Sequence, residues 1–149
     1  MTTTPTPHIV VLDTNVVLDW LLFRDARSAK LQAALRAGSL DWIATPAMRA
    51  ELAHVLDRGR LDAWPCGGLW EQWDRHCRKV PATPCPMAAA ANLRCTDPDD
   101  QKFIDLAVAS RARWLLTRDR AVLKLARPLR FLGVGVLTPD RWTFDQEDG

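Results

Sequence analysis

The sequence predicts an α/β fold, a three-layer α/β/α sandwich around a mainly parallel central sheet. Three observations support this prediction. Short apolar runs typical of buried strands occur at 9–12, 40–44, 114–116 and 133–137. Helical patterns separate these runs, which is the alternation expected of a parallel sheet. Two of the runs end in polar residues that include a carboxylate, at the point where the next helical segment begins.

The length of 149 residues suits one domain, which we expect over 9–142, with a flexible head at 1–8 and a polar tail at 143–149. The head lacks the apolar core of a signal peptide, and the apolar stretch after it is too short and too charged for a membrane span. The four cysteines are not spaced as a zinc or redox motif. We therefore expect a cytoplasmic protein with reduced thiols and no membrane partner.

In the first half of the chain, helices are predicted at 16–23 and 25–37, followed by a strand at 40–44. Thr45 is a good N-cap and Pro46 a good first helical residue, so a longer helix is predicted to run from there to about residue 57. Residues 60–79 contain three tryptophans among other apolar residues, which indicates a further helical pair covering the core.

In the second half, an Ala-rich segment at 87–93 follows an extended Pro-rich connection. Asp97 and Pro98 are typical of a helix start, and this helix is predicted to end near residue 112. A strand ends at Leu116, an amphipathic segment covers 120–126, and the last strand covers 133–137.

Four acidic residues lie at strand ends or on the apolar faces of predicted helices: Asp13, Glu51, Asp100 and Asp119. Each also has a structural explanation by itself. Asp13 and Asp119 could cap the following helices, and Glu51 could reach water from the edge of its apolar stripe. Asp100 and its neighbour Asp99 could interact favourably with a helix dipole.

Together these acids favour a shared site. In a parallel sheet the carboxyl ends of the strands and the following helix starts meet at one edge, so the four acids are predicted to line one crevice. Crowded carboxylates repel one another unless a cation neutralises them, and oxygen ligands without His or Cys suit Mg²⁺ or Mn²⁺. Such an ion can activate water against a phosphodiester. The sequence has no P-loop, no G-x-G-x-x-G and no G-x-S-x-G, which argues against an NTPase, a dinucleotide enzyme or a serine hydrolase.

The motifs together resemble the PIN-domain family, from residue 9 to about residue 137. The matching elements are LDTN at 12–15, Glu51 in a helix opened by Thr-Pro, DPDD at 97–100 before Phe103, and LTRD at 116–119. The DPDD form followed by Lys-Phe further resembles the subgroup described as toxin components of bacterial toxin–antitoxin pairs. Arg118 stands where many relatives have Gly.

The resemblance implies a metal-dependent endoribonuclease. The implied catalytic and metal-binding residues are Asp13, Glu51, Asp100 and Asp119, and the implied supporting residues are Thr14, Asn15, Asp99 and Thr117. The implied cofactor is Mg²⁺ or Mn²⁺, and the implied partners are an RNA substrate, an antitoxin protein and a second copy of the chain.

Two other functions stay open at the level of sequence. A phosphatase of the haloacid dehalogenase type would use Asp13 as nucleophile, but it would require a second Asp where this chain has Asn15. A binding module for nucleic acid or protein would use the carboxylates as helix caps only.

Overall fold

The computed structural model of the chain describes residues 7–58, 68–81 and 93–143. Most of the predicted head and tail, the first part of the predicted helical pair, and nearly all of the Ala-rich segment lie outside the described residues.

Five parallel strands form the sheet, in the spatial order β3-β2-β1-β4-β5. They are β1 (His8–Leu12), β2 (Leu40–Ala44), β3 (Cys77–Lys79), β4 (Trp114–Leu116) and β5 (Gly135–Leu137). The central strand β1 pairs on one side with β2, where Val10 faces Trp42, and on the other with β4, where Val10 faces Trp114. Because both faces of these strands are covered, they read as continuous apolar runs.

Helices cover the sheet, which confirms the predicted fold class. They are α1 (Thr14–Leu21), α2 (Ala29–Arg36), α3 (Pro46–Arg58), α4 (Leu69–His76), α5 (Gln101–Ala109), α6 (Arg120–Leu123) and α7 (Ala126–Phe131). Single 3₁₀ turns precede α2 at Ala26–Ser28 and α5 at Pro98–Asp100. In the described part of the chain, no helix combines the length and the apolar character needed to cross a membrane.

The structure corrects three predicted elements. The second half of the predicted helical pair contains the edge strand β3, whose Cys-Arg-Lys sequence buries one residue in three and so carries no strand-like apolar run. The helix predicted to end near residue 112 ends at Ala109, because the chain turns into β4 through Arg111 in the left-handed region, with φ of 53°. The segment after residue 126 forms α7, which periodicity did not indicate.

The carboxyl ends of β1 and β4 meet, as the prediction required. The backbone N–H of Asp13 donates to the carbonyl of Leu116 at 3.0 Å, and that of Thr117 donates to Leu137 at 2.9 Å. The residues that follow the two strands therefore leave the sheet side by side.

Candidate metal centre

Thr117 links the two strand ends. Its hydroxyl is fully buried and donates to Asp13 Oδ2 at 2.7 Å. The Thr117 hydroxyl oxygen also accepts a hydrogen bond from the backbone N–H of Asp119 at 3.0 Å. Since one hydroxyl holds both partners, the carboxylate after β1 and the loop after β4 have a defined relative position.

Asp100 reaches the same edge from the start of α5. The side chain of Asp97 accepts the backbone N–H of Asp99 at 3.0 Å, so the 3₁₀ turn begins as the Asp-Pro pair predicts. Phe103 and Ile104 of α5 are buried against the sheet. Asp100, on the same inward face, is consequently buried as well, with 8% of its surface exposed.

These elements bring three carboxylates together. One oxygen from each of Asp13, Asp100 and Asp119 lies within 4.8 Å of the other two. The loop with Arg118 in place of Gly still carries Asp119 to this cluster. Among the described residues, no other set of three potential metal ligands comes this close.

Helix capping explains only one of the three aspartates. Asp119 Oδ1 accepts the backbone N–H of Ala121 at 2.8 Å and so caps α6. Asp13 occupies the N-cap position of α1 but makes no capping hydrogen bond there, and Asp100 is the last residue of a 3₁₀ turn that Asp97 already caps. Their placement in the cluster therefore needs another reason.

The electrostatics of the cluster are unfavourable in the absence of a cation. Burial is the main reason why the pKa of Asp13 is raised, and the negative charges of Asp119 and Glu51 raise this pKa further. The hydrogen bond from Thr117 lowers the pKa but does not offset these effects. Burial, followed by the neighbouring Asp119 carboxyl, raises the pKa of Asp100 to about 8. Asp100 Oδ2 is also buried with no hydrogen-bond partner among the described residues. Buried polar atoms are normally paired, so this oxygen is available for a ligand.

The donor set fits a hard divalent cation. All three side chains offer carboxylate oxygens, which Mg²⁺ and Mn²⁺ prefer, and an added positive charge would relieve the repulsion among them. The residues present are therefore able to hold the metal that the sequence led us to expect.

An open cleft of about 760 Å³ lies over the cluster. Its lining is Asp13, Thr14, Asn15, Ala47, Ala50, Glu51, His54, Val55, Arg58, Asp97, Asp99, Asp100 and Asp119. Seven of the eight residues that the sequence predicts for the site thus line one cleft. The eighth, Thr117, is buried and donates its hydrogen bond to Asp13.

Glu51 occupies a different environment from the aspartates. One of its oxygens accepts a hydrogen bond from the Thr14 hydroxyl, and the other accepts one from Lys102 Nζ at 2.7 Å. Asn15 and Asp99 are exposed at the cleft, and the backbone carbonyl of Asp99 accepts a further hydrogen bond from Lys102.

Sequence reasoning missed three features of this region. Lys102 follows the DPDD motif, but the motif alone predicts no role for it, and no sequence pattern predicts that the exposed His54 lines the cleft. The third is an ion pair between Arg118 and Asp19 of α1, with Nε–Oδ2 at 2.5 Å and Nη2–Oδ1 at 3.1 Å. The signal for this pair was Arg118 itself, a charged residue in a position where Gly is common.

Comparison with known proteins agrees with this architecture. A chain in the crystal structure of VapBC2 from Rickettsia felis bound to a DNA fragment from their promoter has the same fold, with a TM-score of 0.56 and 14% identity. The similarity covers 86% of this chain and 96% of that one. A search of curated proteins gave no match. A family model described as PIN domain matches residues 9–121. Since this match spans most of the chain and includes all the clustered aspartates, the protein belongs to the PIN domain family, whose members are nucleases.

Proposed function

We propose that this protein is an Mg²⁺- or Mn²⁺-dependent endoribonuclease. The observation that carries the proposal is the cluster of Asp13, Asp100 and Asp119, three carboxylates that crowd together at the floor of an open cleft. Such an arrangement costs free energy unless it serves to bind a positive ion.

The side chains have distinct roles in this proposal. Asp13, Asp100 and Asp119 hold the ion, and Thr117 orients Asp13 by its hydrogen bond at 2.7 Å. A bound divalent cation lowers the pKa of a water ligand and screens the phosphate charge. Glu51, the fourth acid predicted from the sequence, faces the same cleft and is oriented by its hydrogen bond with Thr14.

RNA cleavage in Mg²⁺ and in Mn²⁺ tests the proposal. We expect the parent chain to cleave RNA internally and Asp100→Asn and Asp13→Asn to lose about 100-fold or more of the rate, because metal activation contributes several kcal/mol to such reactions. Asp74→Asn is the control, since Asp74 is an exposed acid of α4 paired only loosely with Lys79 at 3.8 Å.

Three results would contradict the proposal. Equal cleavage by the parent and the Asp100→Asn variant would remove the cluster from catalysis. A phospho-aspartate trapped at Asp13 would favour the phosphatase. Tight RNA or protein binding without metal-dependent cleavage would favour a binding module. A parallel assay with DNA decides between RNA and DNA as the substrate.

We further propose that the chain is a toxin held inactive by a small antitoxin, that it forms a homodimer, and that it works in the cytoplasm. The DPDD-x-K-F motif supports the first point. A short antitoxin-like reading frame immediately upstream, and relief of growth arrest when it is co-expressed, are the expected observations. Light scattering on the purified chain measures the oligomer.

A further inference from the structure

Lys102 forms an anchored positive charge beside the aspartate cluster. It belongs to the first turn of α5, close to Asp100, and its Nζ donates both to Glu51 and to the backbone carbonyl of Asp99. The side chain is 27% exposed, and its Nζ lies 5.0 Å from the centre of the Phe103 ring. These contacts hold the ammonium group beside Glu51, which lines the cleft.

Both oxygens of Glu51 are engaged within the protein. Thr14 donates to one and Lys102 to the other, whereas Asp100 Oδ2 lacks any partner among the described residues. The Lys102 ammonium group lies 2.7 Å from Glu51 Oε1, so a metal that recruited this carboxylate would come close to another positive charge. The clustered aspartates offer their oxygens without displacing a cation.

The charges of the cleft therefore divide into two sets. Glu51 is paired with Lys102, while Asp13, Asp100 and Asp119 lie close to one another and make no ion pair among the described residues. Arg58 and His54 are the basic residues that line the cleft. The remaining acids of the cleft lining are Asp97, which caps the 3₁₀ turn, and Asp99, which is exposed. A second divalent ion bound to Glu51 would come close to the Lys102 ammonium group, which lies 2.7 Å from Glu51 Oε1, and like charges repel.

We propose that Lys102 takes the place of a second cation, so that the chain binds one divalent ion through the three aspartates while Glu51 stays paired with Lys102. This inference rests on the proposed function, since it assigns the metal content of that same site.

Titration of the full chain with Mn²⁺, followed by calorimetry and by electron paramagnetic resonance, tests the metal content. We expect one Mn²⁺ per chain. Glu51→Gln should weaken binding by only about threefold, because it removes a nearby negative charge but no ligand. Asp100→Asn should weaken binding by at least about tenfold. Two Mn²⁺ ions per parent chain, or equal weakening in Glu51→Gln and Asp100→Asn, would overturn the inference.

Lys102→Met tests the competition directly. Removing the ammonium group leaves Glu51 unneutralised and makes the cleft more negative, so Mn²⁺ should bind at least about threefold more tightly. Lys124→Met is the matched control, because Lys124 is an exposed lysine beyond α6. If the two variants bind Mn²⁺ equally well, Lys102 does not compete with a cation and the inference is wrong.

The two proposals fail in different ways. A parent chain that neither binds Mn²⁺ nor cleaves RNA would refute the proposed function. The role of Lys102 alone would be refuted by a different set of results. In that case the parent chain cleaves RNA and Asp100→Asn does not, but Glu51→Gln weakens Mn²⁺ binding as much as Asp100→Asn does.

Discussion

Asp13 and Asp19 are two buried carboxylates on one short stretch of chain, exposed by 3% and 7% respectively. Asp13 precedes α1 and faces the carboxylates of Asp100 and Asp119. Asp19 lies within α1 and pairs with Arg118 through two contacts. Burial raises the pKa of both, but the Arg118 charge opposes this rise at Asp19, whereas the neighbouring Asp119 and Glu51 charges add to it at Asp13.

This difference separates a structural carboxylate from a functional one. A buried charge that contributes to the fold carries its partner within the protein, as Asp19 does. A buried charge surrounded by like charges lowers stability until a ligand arrives, and sites of this kind are where binding and catalysis concentrate. The following predictions test this contrast.

The largest effect is expected from the aspartate cluster in metal-free protein. The pKa of Asp100 rises from 3.8 to about 8 on folding, so the folded chain retains a proton that the unfolded chain releases between these values. The protonated Asp100 side chain therefore makes its full contribution to stability below about pH 4, and this contribution is lost as the pH rises towards about 8. Urea unfolding in EDTA should therefore show stability falling over this range, with a shallower fall in Asp100→Asn.

Added metal should reverse this loss. At a Mn²⁺ concentration of about 100 times its dissociation constant, the free energy of unfolding at pH 8 should rise by about 2.7 kcal/mol. Two results would contradict this prediction: the same dependence of stability on pH in the parent and in Asp100→Asn, or no stabilisation by Mn²⁺. Either would mean that repulsion among the three carboxylates does not lower the stability of the metal-free protein.

The next effect concerns the Asp19–Arg118 pair. Arg118→Ala leaves a buried carboxylate without its hydrogen-bonding cation, so the free energy of unfolding should fall by about 2 kcal/mol. Arg120→Ala, a change at the adjacent exposed arginine, is the control. In the double variant Asp19→Asn/Arg118→Gln the charge is removed together with its partner, and part of the lost stability should return. Equal stability of Arg118→Ala and Arg120→Ala would show that the pair is not structural.

The smallest effect separates the two roles of Asp119. Asn caps a helix as well as Asp does, so Asp119→Asn should retain the cap of α6 and weaken only Mn²⁺ binding. Asp119→Ala should lose the cap as well and destabilise the metal-free protein by about 1 kcal/mol. Thermal unfolding in EDTA and Mn²⁺ titration of both variants measure the two roles independently. Full Mn²⁺ affinity in Asp119→Asn would exclude Asp119 from the metal site.

Much of this protein follows from local sequence. Apolar runs predicted β1, β2, β4 and β5. The Thr-Pro pair predicted the start of α3, and the Asp-Pro pair predicted the start of the 3₁₀ turn that contains Asp100. The strand β3 was missed because an edge strand of three residues with two exposed side chains has no apolar signature. The aspartates could be placed at one edge because parallel strands have their carboxyl ends together.

The sequence by itself thus determined the α/β class, the positions of the acids and the motifs of the family, because these depend on periodicity and on neighbouring residues. Only the tertiary structure decided which acids are neutralised. Lys102 reaches Glu51 across 51 residues of chain, and Arg118 reaches Asp19 across 99. No local pattern encodes such contacts, since the partner of a charge depends on which segments the folded sheet brings together. Asp13 and Asp100 therefore became distinguishable from Glu51 and Asp19 only when their neighbours were known.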